Sequence, residues 1–352
     1  MSPLGELLAA GRDRGVYSAA AWSVGDAAAT QDRGWTGTRS WGGEPLDGSE
    51  LWDLASVTKP VVGLAVMALV DEGALRLTDT VGDHLPEYRG GDKAELTVHQ
   101  LLAHTSGIPG QVPLYREHPT RASLLEAIRL LPLTAAPGTK VQYSSQGFII
   151  LGLIAEAAAE ETLDVLVRRL VCDPLGMTGT RFRPDAEARR RAVATEDCPW
   201  RGRVVIGEVH DENAVVLGGV GGHAGLFAPL ADMERLGRSL AGGARELLRP
   251  RTFAQMTAVH TEGLGLRRGL AWQGQDPKDS PVGQSFGPRA YGHTGFTGTS
   301  VWVEPDTGRY AVLLTNRVHP SRAGDGITAV RRAFHDEAAA PARADRSAQR
   351  SP

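Results

Sequence analysis

Only two cysteines, Cys172 and Cys198, occur in the 352 residues. They make neither a disulfide framework nor a zinc spacing, so two free thiols in a reducing compartment are expected. Charge of one sign is also scarce. The formal net charge is -3, too balanced to pull the chain toward nucleic acid or a membrane surface. Long hydrophobic runs are missing as well. The best spanning candidate, "VVGLAVMALV", is closed by Asp71 and Glu72 and is too short for a bilayer. The first residues, "MSPLGELLAAGRDRGVY", lack a basic stretch followed by an apolar core, which leads to the expectation of a cytoplasmic protein. There is no H-E-x-x-H and no P-loop. "GVGGHA" fits a loose G-x-G-x-x-A pattern, but glycines placed for backbone freedom explain it better than a dinucleotide site. The spacing of His210, Asp211, Glu212 and His223 demands no metal, so neither metal nor cofactor is expected.

The hydrophobic fraction is 41%, ordinary for a globular chain. "PLGELLAAGRDRG" reads as a first helix ending near Gly15. "VYSAAAWSV" and "TRSW" read as two early strands joined by "GDAAATQDRG". From Lys59 to about Gly73 apolar residues fall all round a helix, the mark of a buried one. Thr97 with Gln100 forms a capping-box pattern, with Gly107 as the stop. "TRASLLEAIRLL" and "QGFIILGLIAEAAAEETLDVLVRRLV" continue a helix-rich middle, and "PDAEARRRAVATEDCPWRG" reads as a surface excursion. "LADMERLGRSLAGG" is a further helix. Later, "TSVWV" and "RYAVLLT" flank the turn "EPDTG", a hairpin pattern. A helix at "GITAVRRAFHDEA" closes the chain.

These patterns predict an α+β fold: an antiparallel sheet flanked by helices, with an inserted helical domain and a cleft between the two. Residues 1–55 and 258–338 are assigned to a discontinuous sheet domain. Residues 56–257 form a mainly helical domain, and 339–352 a disordered tail.

"DLASVTKPVVG" places Ser56 three residues before Lys59 at the start of the buried helix. Residues three apart share a helix face. Ser56 could cap that helix, or it could be a nucleophile beside a lysine that helps activate it. Two further strings bear on the choice. "PGTKVQYSSQGFIILG" sets Tyr143 and Ser145 just before an apolar helix. "YGHTGFTGTSVW" sets His293, Thr294 and Gly295 at the start of a strand.

Serine–lysine, then tyrosine, then a basic residue followed by threonine and glycine: in this order the motifs resemble the serine β-lactamase and penicillin-binding-protein superfamily. The chain looks most like its class C branch, which includes DD-peptidases, esterases, amidases and acyltransferases. "LLAHTSGIPG", "VCDPLGMTGTRF" and "GEVHDENAVVLGGVGGHAGLF" are similar to phrases of that family, and the resemblance runs from about Val16 to about Asp336. It implies that Ser56 is the acyl-accepting nucleophile, Lys59 its partner and Tyr143 the general base and acid. The oxyanion would sit between the backbone N–H groups of Ser56 and Phe296. Ser145, His293, Thr294 and Gly295 would contact substrate, Gly295 by letting the strand approach without a Cβ. His104 and Ser106 read as structural, beneath the site.

Two departures narrow the expectation. His293 stands where penicillin-recognising members usually carry lysine, and a neutral imidazole binds a carboxylate less well. Ser145 stands where many carry asparagine. Both argue against β-lactam hydrolysis or D-Ala-D-Ala trimming. The resemblance therefore implies an esterase, amidase or transacylase acting on a small-molecule ester or amide. The acyl group would pass to water or to an amine acceptor, as in antibiotic pathways. Two alternatives stand beside it: a muropeptide amidase or DD-peptidase, and an acylated sensor that does not turn over. Oligomeric state is left open.

Overall fold

A computed structural model describes residues 2–340. In chain order the strands are β1 (Ala19–Asp26), β2 (Thr30–Gly37), β3 (Leu51–Asp53), β4 (Arg181–Phe182), β5 (Ala194–Cys198) and β6 (Arg203–Ile206). They continue as β7 (Leu226–Pro229), β8 (Gln273–Gly274), β9 (Tyr291–Thr294), β10 (Ser300–Glu304) and β11 (Arg309–Thr315). The main sheet runs β2-β1-β11-β10-β9-β8 and draws on both ends of the chain. Its pairings are antiparallel, with Trp22 opposite Leu313 and Val301 opposite Val312. The predicted α+β architecture, an antiparallel sheet flanked by helices, is the observed one.

The sheet is covered on both faces, which is why β1 and β11 are almost wholly apolar rather than alternating. Alternate residues still go to opposite sides. Ala311 and Leu313 pack with Leu4, Leu8, Val330 and Phe334 of the Pro3–Asp13 and Ile327–Ala339 helices. Tyr310, Val312 and Leu314 join a larger core on the other face, which includes the Leu230–Ala241 helix. Two long helices run through that larger core, Thr58–Glu72 and Ser145–Ala159. The first is buried from Thr58 to Leu69, as its all-round apolar pattern predicts. It ends on Gly73 in the left-handed region, φ 78°, where glycine carries no steric cost. The strands of two smaller sheets, β3-β7-β4 and β5-β6, fall between β2 and β8 in the chain. Because β3 pairs with β7, the expected boundary at residue 55 runs between two paired strands.

Several local expectations need correction. The second strand is Thr30–Gly37, not "TRSW". The turn before it is only Asp26–Ala29, closed by Asp26 Oδ1 accepting the N–H groups of Ala28 and Ala29. The polar, alternating β2 is an edge strand, so its sequence resembles a loop. The capping box at Thr97 and Gln100 forms, but the helix ends at Leu102, well before Gly107. The 146–171 run divides at Glu160, which takes φ 54°. The 184–202 excursion contains a short helix, Ala186–Arg189, and strand β5. Ala339 ends the closing helix, while residues 341–352 of the expected tail lie outside the described residues. Among the described residues, no helix is long and apolar enough to cross a membrane.

Asn316, 2% exposed, ties the sheet to the β5-β6 hairpin. Its Oδ1 accepts from the N–H groups of Ser18 and Ala19, and its Nδ2 donates to Ser18 Oγ and the Ala194 carbonyl. Asn316→Ala strands several buried polar groups at once. It is expected to lower stability by about 3 kcal/mol in urea unfolding.

Candidate active site

Ser56 lies in a short 3-10 turn, Ala55–Val57, that feeds directly into the Thr58–Glu72 helix. Its side chain does not cap the helix: Val57 holds the N-cap position and no side-chain cap bond forms. The Lys59 ammonium, one turn on, donates to Ser56 Oγ at 3.0 Å and to the His223 carbonyl at 3.1 Å. Lys59 is fully buried, a costly place for a charge without partners. The Tyr143 ring supplies a third contact, with its centroid 4.7 Å from Nζ.

The turn bearing Ser56 is held on three sides. Ala55 sits at φ 46°, a left-handed conformation that costs an alanine roughly 1 kcal/mol and survives only when neighbours over-determine it. Asp53 supplies part of that hold. Its carboxylate accepts from the Ala55 and His210 N–H groups at 2.8 and 2.7 Å, and burial raises its pKa. The Asp53 and Leu54 carbonyls accept from the hydroxyls of Thr297 and Thr299. Leu54 N–H donates to the Leu226 carbonyl at the start of β7.

Gly295, on the wall of the cleft, has a further reason for being glycine. A Cβ there would stand 2.5 Å from the Leu54 carbonyl and 2.1 Å from Thr299 Oγ1. The β9-β10 turn pressing on the Ser56 turn therefore requires glycine here. Phe296 follows, and its N–H bonds to no group among the described residues. Its carbonyl accepts from Arg317 Nε at 2.7 Å. Its ring, 42% exposed, is set between the Arg317 guanidinium and the His210 ring.

Two cavities meet at Ser56 and Phe296. One, of about 240 Å³, is lined by Tyr115, Ser145, Asp211, Glu212, Asn213 and Arg322 among others. The other, of about 280 Å³, takes in Tyr143, His293, Thr294, Gly295, Arg317 and Arg331. All the residues singled out from the sequence thus come to one cleft or its immediate frame, with Ser145 in one lobe and the His293–Gly295 strand end in the other.

His293 is neutral. Burial, then the charge of Lys59, pushes its pKa down to about 3. Its Nδ1 lies 2.8 Å from the Thr294 carbonyl, which can only accept, so the single ring proton is on Nδ1. Nε2 is left as an acceptor. Positive charge in this lobe comes instead from Arg317 and Arg331, neither of which pairs with a carboxylate among the described residues. Sequence reading missed both, because they lie outside the three motifs. Arg331 is buried and donates to the Gly295 and Thr299 carbonyls.

The histidine–aspartate group is bonded within itself. His223 Nε2 bonds Asp211 Oδ1 at 2.9 Å, and the same oxygen caps the Glu212–Val216 helix. Although burial works the other way, His223 holds the Asp211 carboxyl well below its usual range. His210 Nε2 bonds Glu196. Glu196, Cys198 and Glu212 place possible ligand atoms within 4.8 Å of one another, but the Arg322 guanidinium engages both carboxylates. The glycine cluster has a packing role: a Cβ on Gly222 would fall 2.0 Å from the Phe148 carbonyl. That close approach to the Ser145–Ala159 helix carries the His223 carbonyl to Lys59. One G-x-S-x-G string, Gly283–Gly287, lies in the loop between β8 and β9. It is not on a strand-to-helix turn, and its Ser285 N–H bonds Asp336.

A family model described as Beta-lactamase matches residues 6–334. A protein of Salmonella schwarzengrund (strain CVM19633) named "Putative D-alanyl-D-alanine carboxypeptidase" is 31% identical over 304 residues, covering 76% of this chain and 70% of that protein. Among solved structures, EstCE1, described as a hydrolase with promiscuous acyltransferase activity, superposes with a TM-score of 0.77 at 20% identity. That match covers 95% of this chain and 97% of the other. Unliganded simvastatin synthase (LovD) from Aspergillus terreus gives 0.75 at 18% identity, covering 96% and 97%. The structural likenesses establish a shared fold.

Acid should destabilise the protein before its carboxylates protonate. His104, His293 and His335 are buried and neutral, with His293 and His335 both pushed down to about 3 by burial and neighbouring cations. Each takes up its proton only on unfolding. Their stabilisation is therefore complete above about pH 6.5 and is lost as pH falls toward their native values. The urea midpoint should already drop between pH 6.5 and 5, as the unfolding free energy falls by up to about 1.4 kcal/mol per pH unit per histidine. A flat midpoint over that interval would show that they are charged in the native state.

Proposed function

The chain belongs to the Beta-lactamase family, and from that membership and the cleft we propose a serine hydrolase or acyltransferase that acts on a small-molecule ester or amide. The observation that carries this reading is the Lys59 ammonium donating to Ser56 Oγ beneath Tyr143, where two cavities meet.

The roles are those that the family resemblance implies, set on the contacts of the cleft. Lys59, bonded to Ser56 Oγ and the His223 carbonyl, orients the nucleophile. Tyr143 is the base that the family resemblance implies. Ser56 Oγ attacks the acyl carbon, its proton passes to the phenolate oxygen that Tyr143 must present for this role, and the developing oxyanion is held by the Ser56 and Phe296 N–H groups. Collapse breaks the bond to the leaving group, which takes the proton from Tyr143, and an ester to Ser56 remains. An acceptor entering the vacated lobe gives its proton to Tyr143 and its electron pair to the acyl carbon, and Ser56 Oγ leaves with that proton. Tyr143 lines only the lobe with His293 and Arg331. The leaving group and the acceptor therefore share that lobe, and the acyl chain occupies the lobe with Ser145. Water as acceptor gives hydrolysis, and an amine gives an amide. Nε2 of His293, an acceptor, suits the N–H or O–H of the incoming group.

A carboxypeptidase is a second reading, favoured by Arg331 and Arg317. Neutral His293 lacks the cation that a carboxylate needs, but these guanidinium groups supply it on the leaving-group side, where a terminal amino acid would depart. The Salmonella relative's name agrees with this reading.

Ser56→Ala is expected to lower turnover of a nitrophenyl ester at least ~10³-fold and to remove the acyl adduct seen by intact-mass spectrometry. Full turnover in that variant would refute the mechanism. The two readings separate on peptides. A substrate with a free C-terminal carboxylate should exceed its C-terminal amide on the order of 10- to 100-fold in kcat/KM if the arginines bind it, and should show no preference if the substrate is an uncharged ester.

A further inference from the structure

Tyr143 has a chemical task that depends on where its oxygen lies, yet its hydroxyl bonds to no group among the described residues. Its place must come from the backbone on either side and from the ring's neighbours. His104 supplies both. Its carbonyl accepts from the Gln142 N–H at 2.8 Å, one residue before Tyr143. Its Nδ1 accepts from the Ser144 N–H at 3.1 Å, one residue after. Its imidazole lies 4.7 Å, centroid to centroid, from the Tyr143 ring and 4.9 Å from that of Phe148. Ser144 is then free to use its hydroxyl elsewhere, accepting from Gly147 N–H at the helix start and donating to the Pro109 carbonyl.

The backbone of His104 is built for this reach. It follows the Val98–Leu102 helix at φ 58°, a left-handed conformation uncommon outside glycine and asparagine. That geometry turns the carbonyl and the ring toward the same strand of chain. His104 is 3% exposed, and burial followed by the charge of Lys59 holds its pKa well below the usual value. With Nδ1 accepting, the ring proton is on Nε2, which has no partner among the described residues.

We infer that His104 is the positioning residue for Tyr143, a clamp of two backbone bonds and one ring contact that sets the tyrosine oxygen for proton transfer to and from the leaving group. The inference rests on the acyl-enzyme reading above and adds a requirement to it. His104 also lines the lobe that holds Tyr143, but its carbonyl and Nδ1 are bonded to the residues on either side of Tyr143, so the loss expected is one of Tyr143 placement.

Two substitutions separate the clamp from backbone strain. His104→Asn keeps the tolerance for positive φ and places an amide oxygen close to the Nδ1 position. His104→Gly keeps the backbone conformation and removes the side-chain acceptor and the ring. Both are compared with the unmodified protein on a series of esters of one acid, from activated aryl to simple alkyl leaving groups. The expected result is a loss of about 10- to 100-fold in kcat/KM, which reports the acylation step, for His104→Gly on the alkyl ester. The loss should be smaller on the nitrophenyl ester, whose leaving group needs no proton, so rate depends more steeply on leaving-group basicity. His104→Asn should return most of the alkyl-ester rate. Equal losses across the ester series, or equal losses in both variants with a matching fall in unfolding temperature, overturn the clamp while leaving the Ser56 adduct in place. If the unmodified protein forms no Ser56 adduct, the acyl-enzyme reading fails first and this proposal fails with it.

Discussion

The structure around the cleft depends on one buried charge. Lys59 has no contact with solvent, and an ammonium without partners in such a place would cost several kcal/mol. Its partners are therefore structural necessities as well as parts of a site. The Ser56 hydroxyl, the His223 carbonyl and the Tyr143 ring all face it. The Gly222 contact with the Ser145–Ala159 helix is what lets that carbonyl reach Nζ. The same charge reaches further, helping to keep His104 and His293 neutral and Asp211 ionised.

The Ser56 turn and the Phe296 turn come from opposite ends of the chain, yet they are bonded into one unit. Thr297 and Thr299 bond to the carbonyls just before Ser56, and Gly295 lies against the same turn. Ala55 is held at an unfavourable φ by this arrangement. The strain is offset by folding the sheet, and no rearrangement is left for the moment of reaction.

Much of this was legible in the residues. The all-round apolar pattern of the Thr58–Glu72 helix, the Thr97 capping box and the β10-β11 hairpin follow from local periodicity and turn chemistry, and each appears where expected. Motif order led to Ser56, Lys59, Tyr143 and His293. What escaped was set by tertiary contact. Edge strand β2 reads as polar loop because one face is open to water. Gly295 is required by a carbonyl some 240 residues away in sequence, which no window of sequence can reveal. Arg317 and Arg331 belong to no motif, since only folding carries them to the His293 side of the cleft.

The two lobes differ from their frame in construction. Ser56, Lys59 and the Phe296 turn are fixed by helix, strand and buried bonds, whereas Gln111–Arg116 and Arg317–Arg322 contribute to the lobe walls largely from loops. Loops accept replacement and insertion at little thermodynamic cost. Inheritance can thus rewrite what the enzyme recognises without disturbing how it reacts. A lineage built on this scaffold is free to change diet while keeping its teeth.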